Sequence, residues 1–204
     1  MKRAFALGLA TVLTLALVGC GDGASTAEET AGSATGSATG VALEGYDAMA
    51  VDGEHEKAAL DALPALVASQ KDADALADAD WDAVDQTEPR LVAYIVRVDL
   101  GEQVSLFEVR ADGIAHNLYG YHRAFDSGAI VWTTSAVEQS ATTTPASAGE
   151  TMATAAVEAA MRDAFPDDAF TVSIRGYRFA YVLAEGSPVL FEVGVEGDLI
   201  SAGI

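Results

Sequence analysis

The sequence predicts an α+β protein in which two related helix-plus-antiparallel-sheet repeats follow a signal peptide and a flexible linker. The tetrapeptide LFEV occurs twice, at 106–109 and 190–193, and around each copy apolar residues alternate with polar ones. Such alternation is typical of half-buried β-strands, whose side chains point to opposite faces in turn. A stripe of apolar residues at helical spacing precedes each copy. Together these observations indicate a duplicated unit of one helix followed by antiparallel strands.

Residues 1–19 have the layout of a secretory signal peptide. Lys2 and Arg3 precede sixteen uncharged residues, fewer than the roughly 20 that a transmembrane helix needs. The sequence LVGC at 17–20 resembles the bacterial lipobox, and this resemblance implies a cleaved lipoprotein with lipid attached to Cys20. An uncleaved anchor helix is the alternative. Both interpretations place the rest of the chain on the extracytoplasmic face of the cell membrane.

Residues 20–45 are predicted to form a flexible linker between the lipid and the folded part. The run GDGASTAEETAGSATGSATG is small, polar and rich in glycine, and it lacks apolar periodicity. A segment of this kind spans on the order of 25 Å. Cys20 is the single cysteine of the chain, so the folded part has no disulfide and depends on its hydrophobic core.

The chain is strongly acidic, with 31 Asp and Glu residues, 11 Lys and Arg residues and a formal net charge of −20. Such a surface repels nucleic acid, which excludes nucleic acid as a partner. It would attract cationic partners or divalent metal ions. General solubility is the simpler interpretation of the charge.

The first repeat is assigned to 46–138. Leu60, Leu63 and Val67 form its helical stripe, and Pro64 is predicted to kink or split the helix. A second helical piece is predicted at 72–84. The next strand is expected to place one apolar set on a single face: Val92, Tyr94, Val96 and Val98.

The second repeat is assigned to 150–204, after a linker at 139–149. Ser147 and Glu150 fit a capping box at the start of its helix. The predicted apolar stripe of that helix consists of Val157, Ala160, Met161, Ala164 and Phe165. The two repeats are expected to share a core or to pack face to face, because a unit of about 55 residues buries little surface alone.

Within the strands, VAYIV at 92–96 matches FAYVL at 179–183, which aligns Tyr94 with Tyr181. This alignment predicts that the second hairpin is three residues shorter than the first. Each LFEV strand is expected to direct Phe and Val into the core and Glu to the opposite face. The dipeptides DG at 112–113 and EG at 196–197 then supply turns.

A helix followed by antiparallel strands that end in VEGDLISAG at 195–203 resembles a PepSY-type repeat. The resemblance covers 150–204 and, more loosely, 54–122. PepSY-type repeats are small extracytoplasmic modules, often in tandem and on lipoproteins, that are thought to bind or inhibit other proteins. The resemblance therefore implies a membrane-anchored, non-enzymatic module that binds or inhibits a protein partner.

Two groups of residues were considered as metal ligands. Asp78, Asp80 and Asp82 have the spacing of the first ligands of a calcium loop, but the loop then lacks its glycine and its final glutamate, so a solvated helix face is favoured. His116 and His122 could bind zinc together with Asp126, although ordinary strand packing is favoured. We therefore predict no metal site and no cofactor, with a divalent-metal-binding lipoprotein as an alternative.

No motif for nucleophilic or phosphate chemistry is found, so the chain is predicted not to be an enzyme. A hydrolase with an acid–base carboxylate pair is the remaining alternative, since such pairs leave no signature in a sequence. Trp81, Tyr119 and Tyr121 are the aromatic residues predicted to form a binding face, because exposed aromatics often anchor partners.

The lipoprotein prediction is tested by metabolic labelling with a radioactive fatty acid. The full chain is expected to incorporate the label, and Cys20→Ala is expected to abolish incorporation, because the thiol is the attachment point. Label retained by the variant would show that the lipobox interpretation is wrong.

Overall fold

The structure, a computed structural model, describes residues 46–118, 124–125 and 140–204. In these residues helices pack on one antiparallel sheet, which confirms the predicted α+β class. The bounds in chain order are α1 Glu54–Gln70, a 3-10 helix Asp74–Leu76, α2 Trp81–Asp85, β1 Arg90–Leu100, β2 Gln103–Val109, β3 Ala115–Leu118, β4 Ala124–Phe125, α3 Ala148–Ala164, β5 Thr171–Tyr181, β6 Val189–Gly194 and β7 Leu199–Gly203.

Within the described part of the chain the sheet has seven strands in the order β4-β3-β2-β1-β5-β6-β7, and every pair is antiparallel. The long strands β1 and β5 therefore pair at its centre. The turns after the two LFEV strands contain Gly113 and Gly197, with φ of 71° and 82°. Glycine adopts this left-handed conformation without the steric cost that a Cβ brings. Both turns were predicted from the sequence.

Both long helices begin at a cap that uses a glutamate in the third helical position. In α3 the Ser147 hydroxyl accepts the backbone N–H of Glu150 at 3.0 Å, as predicted. In α1 the N-cap is Gly53, whose backbone N–H donates to the carboxylate of Glu56 at 2.7 Å. Each contact satisfies a backbone N–H or side-chain acceptor at the open end of a helix.

Pro64 was predicted to kink or split the first helix. The split is wrong, because α1 runs without interruption from Glu54 to Gln70, and the kink stays a prediction. Pro64 is exposed, so the carbonyl that loses its helical hydrogen bond at the proline can bond water instead. The helical piece predicted at 72–84 is also shorter than expected. Only the 3-10 helix and α2 form there, and α2 starts afresh where the Asp80 side chain accepts the N–H of Ala83 at 3.0 Å.

The strand register corrects the predicted match between the two hairpins. Tyr94 pairs with Val109, whereas the corresponding valine of the second hairpin, Val193, pairs with Tyr177. Tyr94 therefore corresponds to Tyr177 and not to Tyr181, and the second hairpin is one residue longer rather than three residues shorter. A slip of four residues keeps every side chain on its face, so apolar alternation alone does not detect it.

The two predicted repeats contribute to one hydrophobic core. Helix α1 packs over β5 and β6, and α3 packs over β1, β2, β3 and β5. Each long helix thus covers strands from the other half of the chain. The helical residues that are fully or nearly fully buried in this core are Ala59, Leu63 and Val67 in α1 and Ala153, Val157 and Met161 in α3.

Side-chain burial confirms most of the predicted core. Phe107 and Phe191 of the two LFEV phrases are 2% and 0% exposed. Two predictions are wrong in detail. Ala164 is exposed, whereas Leu60, Ala160 and Phe165 are partly buried. Val92 packs with Ala180 and Val182 in a separate small cluster, because an irregularity in register between Leu91 and Ala93 reverses its face.

Candidate functional site

A candidate site is a cavity of about 520 Å³ on the face of the sheet opposite α1 and α3. Charged side chains from β2, β5 and β6 and the residue after β2 form its floor, while the β5–β6 loop and the last residues of the chain form its rim. We call it the Glu–Arg cavity, and its lining residues are Tyr46, Ala75, Glu108, Arg110, Arg178, Ser187, Pro188, Leu190, Glu192, Ser201, Ala202, Gly203 and Ile204.

Both LFEV phrases supply a carboxylate to this cavity. Because strand side chains alternate, the phenylalanine and valine of each phrase enter the helix-covered core while the glutamate between them points to the opposite face. Glu108 and Glu192 line the cavity and are 0% and 3% exposed. The prediction that each phrase directs its phenylalanine and valine into the core and its glutamate to the opposite face is confirmed.

A single arginine, Arg178 of β5, contacts both glutamates. Its Nη1 donates to Glu108 Oε2, and its Nη2 and Nε donate to Glu192 Oε1, the latter at 3.2 Å. Arg178 is 4% exposed. Since β2 lies on one side of the central strand pair and β6 on the other, this arginine joins the outer strands of both halves of the sheet.

The remaining carboxylate oxygens also have partners. Glu108 Oε1 accepts from Arg110 Nε, and Glu192 Oε2 accepts from the Ser201 hydroxyl at 2.9 Å. We call Glu108, Arg110, Arg178 and Glu192 the ion-pair network. It alternates in sign along the cavity floor, and every carboxylate oxygen accepts at least one hydrogen bond.

The electrostatics of Arg178 follow from this arrangement. Burial by itself would lower the pKa of its guanidinium, but the negative charges of Glu108 and Glu192 outweigh burial and raise that pKa. Arg178 is therefore a permanent cation. Charge-assisted hydrogen bonds of this kind are about twice as strong as neutral ones, so they hold the side chains of the cavity floor in place.

A second buried polar cluster joins the starts of the two long helices to the sheet. Tyr94 Oη donates to Glu56 at 2.7 Å, and Tyr177 Oη donates to Glu150. The two tyrosines face each other across the central strand pair, with ring centroids 6.0 Å apart at 73°. Ser147 donates to Glu56 as well and so links the two helix starts. We call Glu56, Tyr94, Glu150 and Tyr177 the Glu–Tyr cluster.

The Glu–Tyr cluster is closed to a ligand. Glu56 and Glu150 are both 0% exposed, and each of their carboxylate oxygens accepts a hydrogen bond from the protein. A Cβ added at Gly149 would lie 1.9 Å from Tyr94 Oη, so the tyrosine reaches its place only because glycine occupies that position. The cluster therefore fixes the helices on the sheet and offers no binding surface.

Of the predicted site residues, the structure describes Trp81. Trp81 is half-buried against the core, with Lys71 Nζ 5.8 Å from its ring centroid. Tyr119 and Tyr121 lie outside the described residues, so the aromatic binding face stays a prediction. Cys20 lies outside them too.

The structure describes only part of the two candidate metal-ligand groups. Asp78 and Asp80 line the same small cavity, and Asp80 also caps α2, whereas Asp82 is exposed. His116 Nε2 lies 3.9 Å from Asp112, while His122 and Asp126 are outside the described residues. Within residues 46–118 and 140–204, no three His, Cys, Asp or Glu side chains are grouped in a way that could hold a metal ion.

Sequence reasoning missed Arg178 and the paired use of Glu108 and Glu192. One signal of this arrangement was present in the sequence, namely the glutamate at the same position of both LFEV phrases. A glutamate within a buried strand requires a cationic or hydrogen-bonding partner. The helix glutamates carried a second signal. The buried positions Glu56, Ala59, Leu63 and Val67 have the same spacing as Glu150, Ala153, Val157 and Met161.

The pKa of Glu56 gives a pH-dependent prediction. Burial raises the pKa of Glu56, but hydrogen bonds from Ser147, Gly53 and Tyr94 together lower it by more than burial raises it. The pKa of Glu56 therefore lies below its ordinary value of 4.5. The carboxylate therefore stabilises the fold above pH 4.5, and this contribution is lost as pH falls through the lower, folded-state pKa. Glu56→Gln should cost about 1–3 kcal/mol of unfolding free energy at neutral pH and progressively less in acid.

Urea unfolding of both proteins between about pH 7 and pH 3 measures this difference. The control is Glu54→Gln, an exposed glutamate in the same helical turn, which should change stability by less than about 0.5 kcal/mol. A Glu56→Gln deficit that stays constant across the pH range would show that the carboxylate charge is not responsible.

Among the described residues no helix combines the length and the apolar composition required to cross a bilayer. Comparison of the chain with models of protein families, with curated proteins and with solved structures found no match.

Proposed function

We propose that the chain is an extracytoplasmic lipoprotein, anchored to the membrane through Cys20, whose α+β domain is a non-enzymatic module that binds or inhibits a protein partner. The observation that carries this proposal is the Glu–Arg cavity, with its preorganised charged floor and partly apolar rim. Pockets of a few hundred Å³ with a few fixed polar groups are the usual form of a binding site.

The anchoring part of the proposal rests on residues 1–45. A basic and then apolar leader, a lipobox-like LVGC and a flexible polar linker together fit a tethered lipoprotein. Two or three acyl chains hold a protein on a membrane stably, whereas one does so only marginally. The linker would let the domain reach a partner near the membrane.

Binding is favoured over catalysis by the hydrogen bonding of Glu108 and Glu192. The cavity does hold two carboxylates, which is the arrangement that a hydrolase with an acid–base pair would need. However, Arg178 bridges the two, and Arg110 and Ser201 occupy the remaining oxygens. A general acid or base must exchange a proton with a substrate, and these contacts leave neither carboxylate an oxygen without a partner. The hydrolase is therefore the second candidate.

We also infer that the domain arose by duplication of a PepSY-like unit. Four features support this: the two LFEV strands have the same register against their neighbours, both pair with a long central strand, both long helices have 17 residues, and both use a glutamate in their third position. Tyr94 and Tyr177 bond those two glutamates in the same way. A duplicated protein-binding module agrees with the proposed function.

A photo-crosslinking residue at Ser187 tests the proposed function in cells that carry the full, tethered chain. Ser187 is exposed at the rim of the cavity, so a bound partner should be captured there as one discrete adduct. Excess purified chain without the crosslinker should suppress that adduct, because the site is saturable.

The matched control carries the same crosslinker at Glu158, an exposed residue of α3 on the opposite side of the sheet. It should yield no such adduct. Equal adducts at the two positions, or none at Ser187, would contradict a binding role for the cavity.

A further inference from the structure

The ion-pair network has one closed end and one open end. Along the floor the order is Glu192, Arg178, Glu108 and Arg110, with charges of alternating sign. At the first end, the Ser201 hydroxyl donates to Glu192 and completes that carboxylate. At the other end stands a cation, Arg110, which contacts the cavity. Continued alternation would place an anion next to it.

Arg110 still has hydrogen-bond donors to offer. Its Nε donates to Glu108, and the ring of Tyr46 lies over the guanidinium at 4.9 Å from its centroid. Its two terminal nitrogens have no hydrogen-bond partner among the described residues, and a quarter of the side chain is exposed. A planar guanidinium held by an aromatic ring and an ion pair is preorganised to bind a carboxylate with two parallel hydrogen bonds.

The other lining residues indicate the polarity, charge and size of the molecule that would carry the carboxylate. Pro188, Leu190, Ala202 and Ile204 give the cavity apolar walls. The network itself holds two carboxylates and two guanidinium groups, so it has no net charge to repel one further anion. A volume of about 520 Å³ accommodates a group of roughly dipeptide size.

We propose that the Glu–Arg cavity binds a free carboxylate carried on a short apolar group, and that Arg110 is the residue that selects for it. The carboxylate belongs either to the C-terminus of a peptide or protein or to a small monocarboxylic acid. This inference rests on the proposed binding function and specifies the chemistry of the ligand.

Calorimetric titration of the purified full chain in detergent tests the inference in two arms. One arm compares N-acetyl-alanyl-leucine with its C-terminal amide, and the other compares 4-methylpentanoate with 4-methylpentanamide. At least one acid should bind about tenfold or more tightly than its amide. The reason is that a neutral amide cannot accept two charge-assisted hydrogen bonds from the Arg110 guanidinium. The arm that shows this preference identifies the source of the carboxylate.

Three variants connect the preference to Arg110. Arg110→Gln should reduce affinity for the preferred acid to that for the amide, and Arg110→Lys, which keeps the charge without the fork, should give an intermediate value. Arg162→Gln is the matched control, because Arg162 is an exposed arginine over an aromatic ring, 4.4 Å from the centroid of Phe170, on the helix-covered side. It should leave the acid preference unchanged.

The outcomes separate this inference from the proposed function. Equal binding of acid and amide, or a preference that survives Arg110→Gln, would overturn carboxylate selection while leaving the cavity a binding site. Absence of binding in both arms would also overturn it, and the Ser187 adduct would then decide separately whether the binding function stands. If Arg110→Gln fails to fold, the comparison of acid with amide on the native chain still decides.

Discussion

The bond from Arg178 to both glutamates is the interaction on which the cavity depends. Glu108 and Glu192 lie on strands that flank the central pair from opposite sides, and both carboxylates are nearly inaccessible to water. A carboxylate in such a position is tolerated only where cations and hydrogen-bond donors replace its lost hydration. One guanidinium reaches both glutamates because its fork presents several donors in a fixed plane. The ion pairs therefore hold the cavity floor in one arrangement.

The opposite face of the same sheet is organised by a second set of glutamates. Glu56 and Glu150 hold the starts of α1 and α3 against Tyr94 and Tyr177, which pair directly across the sheet centre. This places the helices so that each covers strands of the other half, and one core results. The two faces thus differ in kind. One is covered by helices and holds the hydrogen-bonded Glu–Tyr cluster, whereas the other is indented and lines a cavity with charged side chains.

The sequence predicted the features that depend on neighbours along the chain. The α3 cap at Ser147, the turns at Gly113 and Gly197, and the burial of Phe107 and Phe191 all follow from local patterns. The pairing of Tyr94 with Tyr177 and the bridge from Arg178 depend on strand register. Apolar alternation does not determine this register, because a shift by an even number of residues leaves every side chain on the same face. For this reason the sequence places the glutamates of the two LFEV phrases on the polar face but does not identify Arg178 as their common partner.

The central claim is that Arg178 holds the two glutamates of the repeated phrase in place, and the unfolding free energy of Arg178→Met tests it most directly. Methionine preserves much of the length and removes the charge, so Glu108 would keep only Arg110 and Glu192 only Ser201. Removing one partner from a buried ion pair typically costs about 3–5 kcal/mol, and a loss of that size is the result expected here. A loss below about 1 kcal/mol would contradict the account.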